Sequence, residues 1–324
     1  MIKVALLSNT PEPAYSEYIN YEFLSELGIQ LDLNPKSGDY DYCIVHSKGL
    51  RHSVELSLPR GRLILITGEP KGIYYYSKKF LRQFDTIYTS RSDIKIEGAN
   101  IIPSHPYQVP WIGRNTYKGK ITYKHKLSGG LEKDKTARRK KICIITSDKV
   151  YCKGHLLRKR FVQYVLDNHS DVFDVYGFGY SPIGDKAEVL NSYAFTLAIE
   201  NTIEKNYWTE KIHDAVLCGC FPFYYGAPNM NDYLSESLYQ HVDISNPKLA
   251  CAEMIQTVNK NEVKIVRDKC ALDKYSLQEF IIHNCKTEGN NPTKRIINGD
   301  MKTFALSRLR LLGVRLFWKI KSVL

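Results

Sequence analysis

Residues Tyr193–Pro228 read YAFTLAIENTIEKNYWTEKIHDAVLCGCFPFYYGAP. Phe195–Ile199 has the length and apolar character of a buried strand. A polar loop follows, and Thr209 then offers a side chain suited to a helix N-cap, with Glu210 and Lys211 opening the helix. A second apolar strand, Phe221–Tyr225, closes in a tight turn at Gly226 and Pro228. Strand, loop, helix and strand in this order form one unit of a parallel, helix-covered sheet. In open sheets of that kind ligands bind outside the carboxyl ends of the strands. Glu200, Asn201, Glu210 and Lys211 all fall at that end.

The same alternation extends in both directions. Upstream, Lys141–Ser147 (KICIITS) reads as a strand, His155–Val165 as a helix and Val172–Tyr176 as a strand. Downstream, helices are expected over Pro247–Asn259 and Leu272–His283. The first part of the chain repeats the pattern. Strands are expected at Ile2–Ser8, Asp41–His46, Arg62–Thr67 and Thr86–Ser90. Helices are expected over Ser16–Leu27, with a stripe at Ile19, Phe23 and Leu27 and a stop at Gly28, and over Ile73–Phe84. Between the halves, Trp111–Lys141 is rich in Gly, Lys and Arg and ends in the basic run Arg138–Lys141, which reads as a linker. The expected division is residues 1–137, 138–303 and a tail, 304–324. The two halves share a pattern and no repeated sequence.

The tail differs from both. At helical spacing Leu306, Leu309, Leu312, Leu316, Phe317, Ile320, Val323 and Leu324 share one arc. Arg308, Arg315 and Lys319 flank it on one side, and Arg310 and Lys321 on the other. With Trp318 near the end, this pattern suits an anionic membrane surface better than a core helix.

The chain has 324 residues and a net charge of +12. That balance fits polyanionic partners without choosing among them. Nucleic acid is disfavoured, because the basic residues concentrate in linker and tail and no nucleic-acid-binding motif is present. The eight cysteines lack paired ligand spacing, so reduced thiols are expected and a metal site is not. Met1–Ser8 reads as a strand rather than a signal peptide, and no apolar run is long enough to span a bilayer. A cytoplasmic protein, peripheral on the inner membrane face, is the resulting expectation.

The local chemistry of the opening run suits a phosphate-bearing ligand. A helix N-terminus presents free N–H groups and partial positive charge. Lys211 adds a full charge for a pyrophosphate. Glu210 is placed to accept hydrogen bonds from ribose hydroxyls, and Tyr207 or Trp208 to stack on a ring. Taken alone, Glu210 and Lys211 read first as a capped surface helix with an ordinary Glu–Lys pair.

The order A-x-E-N-T, Y-W-T-E-K-I, helix, C-x-P-x-Y-Y-G-A-P resembles the donor motif of the glycosyltransferase family 10 α-1,3/4-fucosyltransferases, of bacterial type. Val172–Gly177 (VFDVYG) and Leu157–Phe161 (LRKRF) resemble the same family more loosely. The resemblance implies an α/β fold of the GT-B type, two Rossmann-like domains facing a cleft, with GDP-fucose as donor. By motif, Asn201 would contact the phosphate–sugar region, Glu210 the ribose and Lys211 the pyrophosphate. Tyr207 would line the pocket, and Arg158, or its neighbour Arg160, would bind phosphate. Glu200 would either shape the strand end or touch the fucose. No obligatory metal is implied, and the acceptor would be a hydroxyl of a glycan.

An inverting transfer also needs a base at the acceptor hydroxyl. Thr67-Gly68-Glu69-Pro70 follows the expected strand Arg62–Thr67 and is similar to the family's T-G-E segment, which makes Glu69 the candidate. Two other sugar-transfer types fit less well. Asp39-Tyr40-Asp41 has the letters of a metal-binding D-x-D, far from the donor motif, and no two glutamates have the E-x7-E spacing of a retaining enzyme.

Overall fold

The computed structural model describes residues 1–10, 13–16, 18–115, 122–123, 138–260, 268, 270–289 and 291–299. Two compact units account for them. Residues 1–109 and 275–299 fall in the first, and the described residues from 110 to 274 in the second.

The first unit is built on β1 (Ile2–Leu7), β2 (Ile29–Leu33), β3 (Tyr42–His46), β5 (Leu63–Ile66), β6 (Thr86–Thr89) and β7 (Asn100–Pro103). They form one parallel sheet in the order β2-β1-β3-β5-β6-β7. Alternate residues of the central strands enter different cores. Ala5, Leu7, Cys43, Val45, Leu63 and Leu65 pack in one. Val4, Leu6, Tyr42, Ile44, Ile64 and Ile66 pack in another. Near-continuous apolar strands are what a sheet covered on both faces requires.

The expected helix over Ser16–Leu27 is two pieces, α1 (Pro13–Ser16) and α2 (Tyr21–Glu26). Asn20 starts the second by accepting from Phe23 N–H at 3.1 Å. The buried residues are Ile19 and Leu24, while Phe23 and Leu27 are exposed, so the stripe read from the sequence is not the packing face. The expected stop is in place, since Gly28 takes a left-handed φ of 77°. Of the helix expected over Ile73–Phe84, only α3 (Lys78–Leu81) forms, capped by Ser77. Tyr74 and Tyr76 instead turn inward as core residues.

The second unit contains β10 (Arg139–Ile145), α4 (Lys153–Asn168), β11 (Phe173–Tyr176), α5 (Lys186–Leu190), β12 (Tyr193–Ile199), α6 (Glu210–Leu217), β13 (Phe221–Tyr225), β14 (Gln240–His241) and α7 (Pro247–Asn259). A short antiparallel pair, β8 (Arg114–Asn115) with β9 (Thr122–Tyr123), precedes them. The five longer-range strands form a parallel sheet ordered β11-β10-β12-β13-β14. The chain moves outward from β10 to β11 and then returns to β12 on the other side. The carboxyl ends of β10 and β12 therefore flank a switch point, where such sheets bind ligands.

The basic run Arg138–Lys141 is part of this sheet rather than linker. Arg138 donates to the carbonyls of Leu190, Tyr193, Cys218 and Gly219 at 2.8–3.3 Å. One guanidinium thus satisfies backbone acceptors at the C-terminal ends of α5 and α6, where helices leave carbonyls unpaired. Cys218 and Cys220 are buried and all eight cysteines are free.

The helix expected over Leu272–His283 is α8 (Leu277–Asn284), capped by Ser276. It belongs to the first unit, because Leu277, Phe280, Ile281 and Cys285 pack in the same core as Val4 and Ile44. The last described strand, β15 (Thr293–Ile297), pairs antiparallel with β4 (Val54–Leu58), which the sequence reading did not anticipate. Residues 275–299 thus pack with the first unit, where the sequence reading placed them with the second. The tail 304–324 lies outside the described residues.

Phe280 is 2 % exposed and meets the rings of Tyr88 and Tyr107 at 4.8 Å each. Phe280→Ala is expected to destabilise the first unit by about 3–5 kcal/mol. Hydrogen exchange should then accelerate in β1, β3 and β5 and stay unchanged in β10, β12 and β13.

Candidate donor-binding site

β12 delivers Glu200 at its carboxyl end, where the side chain is fully buried. A buried carboxylate needs partners, and Glu200 has them. Its Oε1 accepts from Thr209 N–H at 2.8 Å, and both its oxygens lie 2.9 Å from Thr209 Oγ. Lys211 Nζ lies 3.2 Å from Oε2. The same Thr209 is the N-cap of α6, accepting from Lys211 N–H. One carboxylate therefore fixes the start of the helix against the end of the strand. Burial pushes the Glu200 carboxyl up, and Lys211 opposes this.

Glu210 and Lys211 occupy the first turn of α6, each about one fifth exposed. Lys211 Nζ lies 3.3 Å from Glu210 Oε1 and 2.8 Å from Thr209 Oγ. Burial pushes Glu210 up, but the charges of Lys211 and Lys186 outweigh it and hold the carboxyl at about 2. Burial likewise disfavours the Lys211 cation, and Glu200 and Glu210 more than reverse that. At neutral pH the helix start thus carries an ionised Glu210 and a charged Lys211.

On the adjacent strand end, α4 brings in Arg158, which is 7 % exposed. Its Nη1 donates to Asn201 Oδ1 at 3.1 Å and its Nη2 to the Ser147 carbonyl at 3.3 Å. Its buried Nε has no hydrogen-bond partner. Arg160, the alternative left open by the sequence, is exposed on the same helix. Arg158 and Asn201 are thereby joined across the β10–β12 switch point. The approach is close: a Cβ on Gly154 would stand 2.1 Å from the Asn201 carbonyl oxygen. His155 is also buried here, and desolvation followed by the Arg158 charge pushes its imidazole down to about 3. It is neutral at physiological pH.

Tyr207 and Trp208 are 2 % and 3 % exposed. Their loop is held by Asn206, whose side-chain oxygen accepts from Asn229 Nδ2 and Tyr233 Oη at 2.8 Å each. Asn206 N–H in turn donates to Asn229 Oδ1 at 2.8 Å, with Asn206 in a left-handed conformation, φ 65°. The loop after β13 is thus tied to the loop after β12. Gly226 lies where a Cβ would stand 2.2 Å from Tyr224 Oη and 2.7 Å from Glu200 Cγ, so the turn after β13 has no room for a side chain.

Two residues of this neighbourhood were missed in the sequence. Lys186 opens α5 and pairs with Asp214 at 2.9 Å, and Asp214 is 1 % exposed. Asp214 stands one helical turn after Glu210, so its spacing was a readable signal. Lys186 follows Asp185, whose side chain caps α5.

Glu69 belongs to the first unit, directly beyond the carboxyl end of β5 at the centre of the sheet. Its carboxylate is 29 % exposed and accepts from Lys48 Nζ at 3.3 Å. The turn carrying it is fixed at Gly68, whose N–H donates to Tyr76 Oη at 3.1 Å and whose carbonyl accepts from Gln108 Nε2 at 3.0 Å. Among the described residues no group of three or more His, Cys, Asp or Glu side chains is arranged to hold a metal ion. No described helix is long and apolar enough to cross a membrane.

Several known proteins are similar to parts of this chain. A putative fucosyltransferase-like protein of Arabidopsis thaliana is 42% identical over 53 residues, 16% of this chain and 10% of its own. GDP-fucose protein O-fucosyltransferase 3 of Xenopus laevis is 37% identical over 76 residues, 23% of this chain and 16% of its own. The Canis lupus familiaris protein of that name is 23% identical over 204 residues, 62% of this chain and 37% of its own. The chain thus spans between a tenth and just over a third of the length of these relatives. In fold, it is similar to an α1,3-fucosyltransferase crystallised with GDP-fucose, with a TM-score of 0.50 at 16% identity, covering 97% of this chain and 90% of the other. That likeness places both units in the GT-B class of α/β folds. Residues 135–269, which lie within the second unit, match the family described as glycosyltransferase family 10 (fucosyltransferase) C-term.

Proposed function

We propose that the chain is an inverting fucosyltransferase that moves L-fucose from GDP-fucose to an acceptor hydroxyl. The observation that carries this reading is the cluster at the carboxyl ends of β10 and β12. There Arg158 and Lys211 supply positive charge, Asn201 a neutral amide, and Glu210 an ionised acceptor. A nucleoside diphosphate asks for cations at its phosphates and for acceptors at its ribose hydroxyls. In this reading Tyr207, almost fully buried, backs the site, and Glu200 holds the helix start.

In this reading Glu69 takes the proton of the acceptor hydroxyl as its oxygen attacks the anomeric carbon of GDP-fucose. The bond from that carbon to the β-phosphate oxygen breaks, and its electron pair leaves on GDP. Configuration inverts from the β-linked donor to an α-fucoside. Lys211 and Arg158 stabilise the charge that develops on the departing diphosphate, with no obligatory metal.

The acceptor in the primary reading is a glycan, an α-1,3 linkage to GlcNAc or Glc of a surface polysaccharide precursor such as lipopolysaccharide. The protein would act in the cytoplasm, held at the inner membrane face by its basic tail. The similarity to GDP-fucose protein O-fucosyltransferase 3 favours a second acceptor class, a hydroxyl on a protein. A related enzyme with another nucleotide-sugar is the alternative for the donor.

GDP should raise the unfolding temperature, because a ligand at about 100 times its Kd adds about 2.7 kcal/mol of stability. A shift with UDP and none with millimolar GDP would overturn the donor assignment. Glu69→Gln is expected to lower kcat for transfer by at least about 100-fold while leaving GDP affinity within twofold. Full transfer activity in that variant would remove Glu69 from the mechanism. Deleting residues 304–324 should release the protein from anionic vesicles without changing its circular dichroism, and unchanged sedimentation with vesicles would refute the membrane contact.

A further inference from the structure

Glu210 and Asp214 lie one turn apart on α6, so two carboxylates share one face of an eight-residue helix. Asp214 is buried, and its Oδ1 is occupied by Trp111 N–H at 2.7 Å. Its Oδ2 accepts from Lys186 Nζ at 2.9 Å. The same Nζ stands 3.8 Å from Glu210 Oε1, the oxygen that Lys211 Nζ approaches to 3.3 Å. Lys186 is itself anchored at the first position of α5, where Asp185 caps the helix and also receives Gly113 N–H at 3.0 Å. A cation from one helix therefore bridges two carboxylates of another.

We propose that Lys186 is a positioning residue for the donor: bridging Asp214 and Glu210, it keeps the Glu210 carboxylate ionised and aimed at the ribose hydroxyls of a nucleoside diphosphate. The inference rests on the reading of Glu210 as the ribose contact. The groups around Glu210 are Lys186 from α5, Lys211, His213 and Asp214 from α6, Thr209, and Glu200 from β12. His213 is neutral at physiological pH, pushed down to about 4 by burial. Lys186 and Lys211 are thus the cations beside Glu210, and Arg158 adds its charge at Glu200. Without Lys186, Glu200 and Asp214 repel the Glu210 charge and only Lys211 opposes them. Glu210 then takes up a proton at a higher pH and loses a charge-assisted acceptor.

Calorimetric titration of the full chain with GDP and with 2′-deoxy-GDP, at pH 7.5 and pH 5, tests this. Lys186→Met should weaken GDP about tenfold at pH 7.5, and the ratio of wild-type to variant affinity should grow at pH 5. Comparing that ratio cancels the titration of GDP itself. Lys186→Arg should restore most of the affinity, and 2′-deoxy-GDP should separate wild type from variant less than GDP does. Lys186→Met strands a buried carboxylate, so Lys186→Met combined with Asp214→Asn provides a folding-safe form. Asn keeps an acceptor for Trp111 and removes one of the two repelling charges, so the double variant should still bind GDP less tightly than wild type at pH 7.5, with a smaller further loss at pH 5 than Lys186→Met alone. A wild type that binds GDP beside a Lys186→Met variant of equal affinity at both pH values overturns this inference alone. An equal loss for GDP and 2′-deoxy-GDP also overturns it. A wild type that fails to bind GDP overturns the donor reading and this inference together.

Discussion

The candidate donor region depends on one buried carboxylate. Glu200 has no contact with water, and its oxygens are taken by Thr209 and Lys211. Isolated, such a charge would be expensive to bury. Its cost is offset because it does three things at once. It satisfies a backbone N–H of the approach to α6, orients the hydroxyl that caps that helix, and holds the ammonium of Lys211. Removing Glu200 would leave Lys211 free to reorient toward Glu210 and would release the cap. The position of the helix start is thus a consequence of charge burial at the end of β12.

The opposite end of the same helix is held with equal care. Arg138 gathers carbonyls from the ends of α5 and α6, so the two helices that carry Lys186 and Lys211 share one C-terminal anchor. Between these ends, Asn206 and Asn229 lock the connecting loops to each other. Gly154 lets α4 approach the Asn201 backbone closely enough for Arg158 to reach across. Strands and helices thus carry the candidate donor contacts Arg158, Glu210 and Lys211, and side-chain hydrogen bonds brace the loop that holds Asn201 and Tyr207. This is how a site achieves precision before its ligand arrives.

Much of this was legible in the sequence. The alternation of short apolar strands with helices gave the parallel α/β class, because buried parallel strands are apolar without interruption. The Thr209 cap was readable from residue type alone. Three kinds of feature were not. The exposure of Phe23 and the inward turn of Tyr74 and Tyr76 depend on tertiary neighbours that periodicity does not see. The packing of α8 and β15 in the first unit is a long-range pairing, since partners such as Leu56 and Arg295 are far apart in the chain. Arg138 looked like solvated linker because its charge was legible and its four carbonyl partners were not. Glu200 had two open roles in the sequence, and its complete burial is what the structure adds.

The cations of the candidate donor region are already engaged. Lys211 is held by Glu200 and Glu210, Lys186 by Asp214, and Arg158 by Asn201 and the Ser147 carbonyl. In the function proposed above, an incoming diphosphate would therefore not meet bare positive charge. It would exchange with internal acceptors, and the energy of binding would be a difference between two sets of contacts rather than a sum. The same internal acceptors would take the cations back as the diphosphate left. Such a site would hold a nucleotide less tightly than its count of positive charges suggests, which would favour turnover over retention of the spent product.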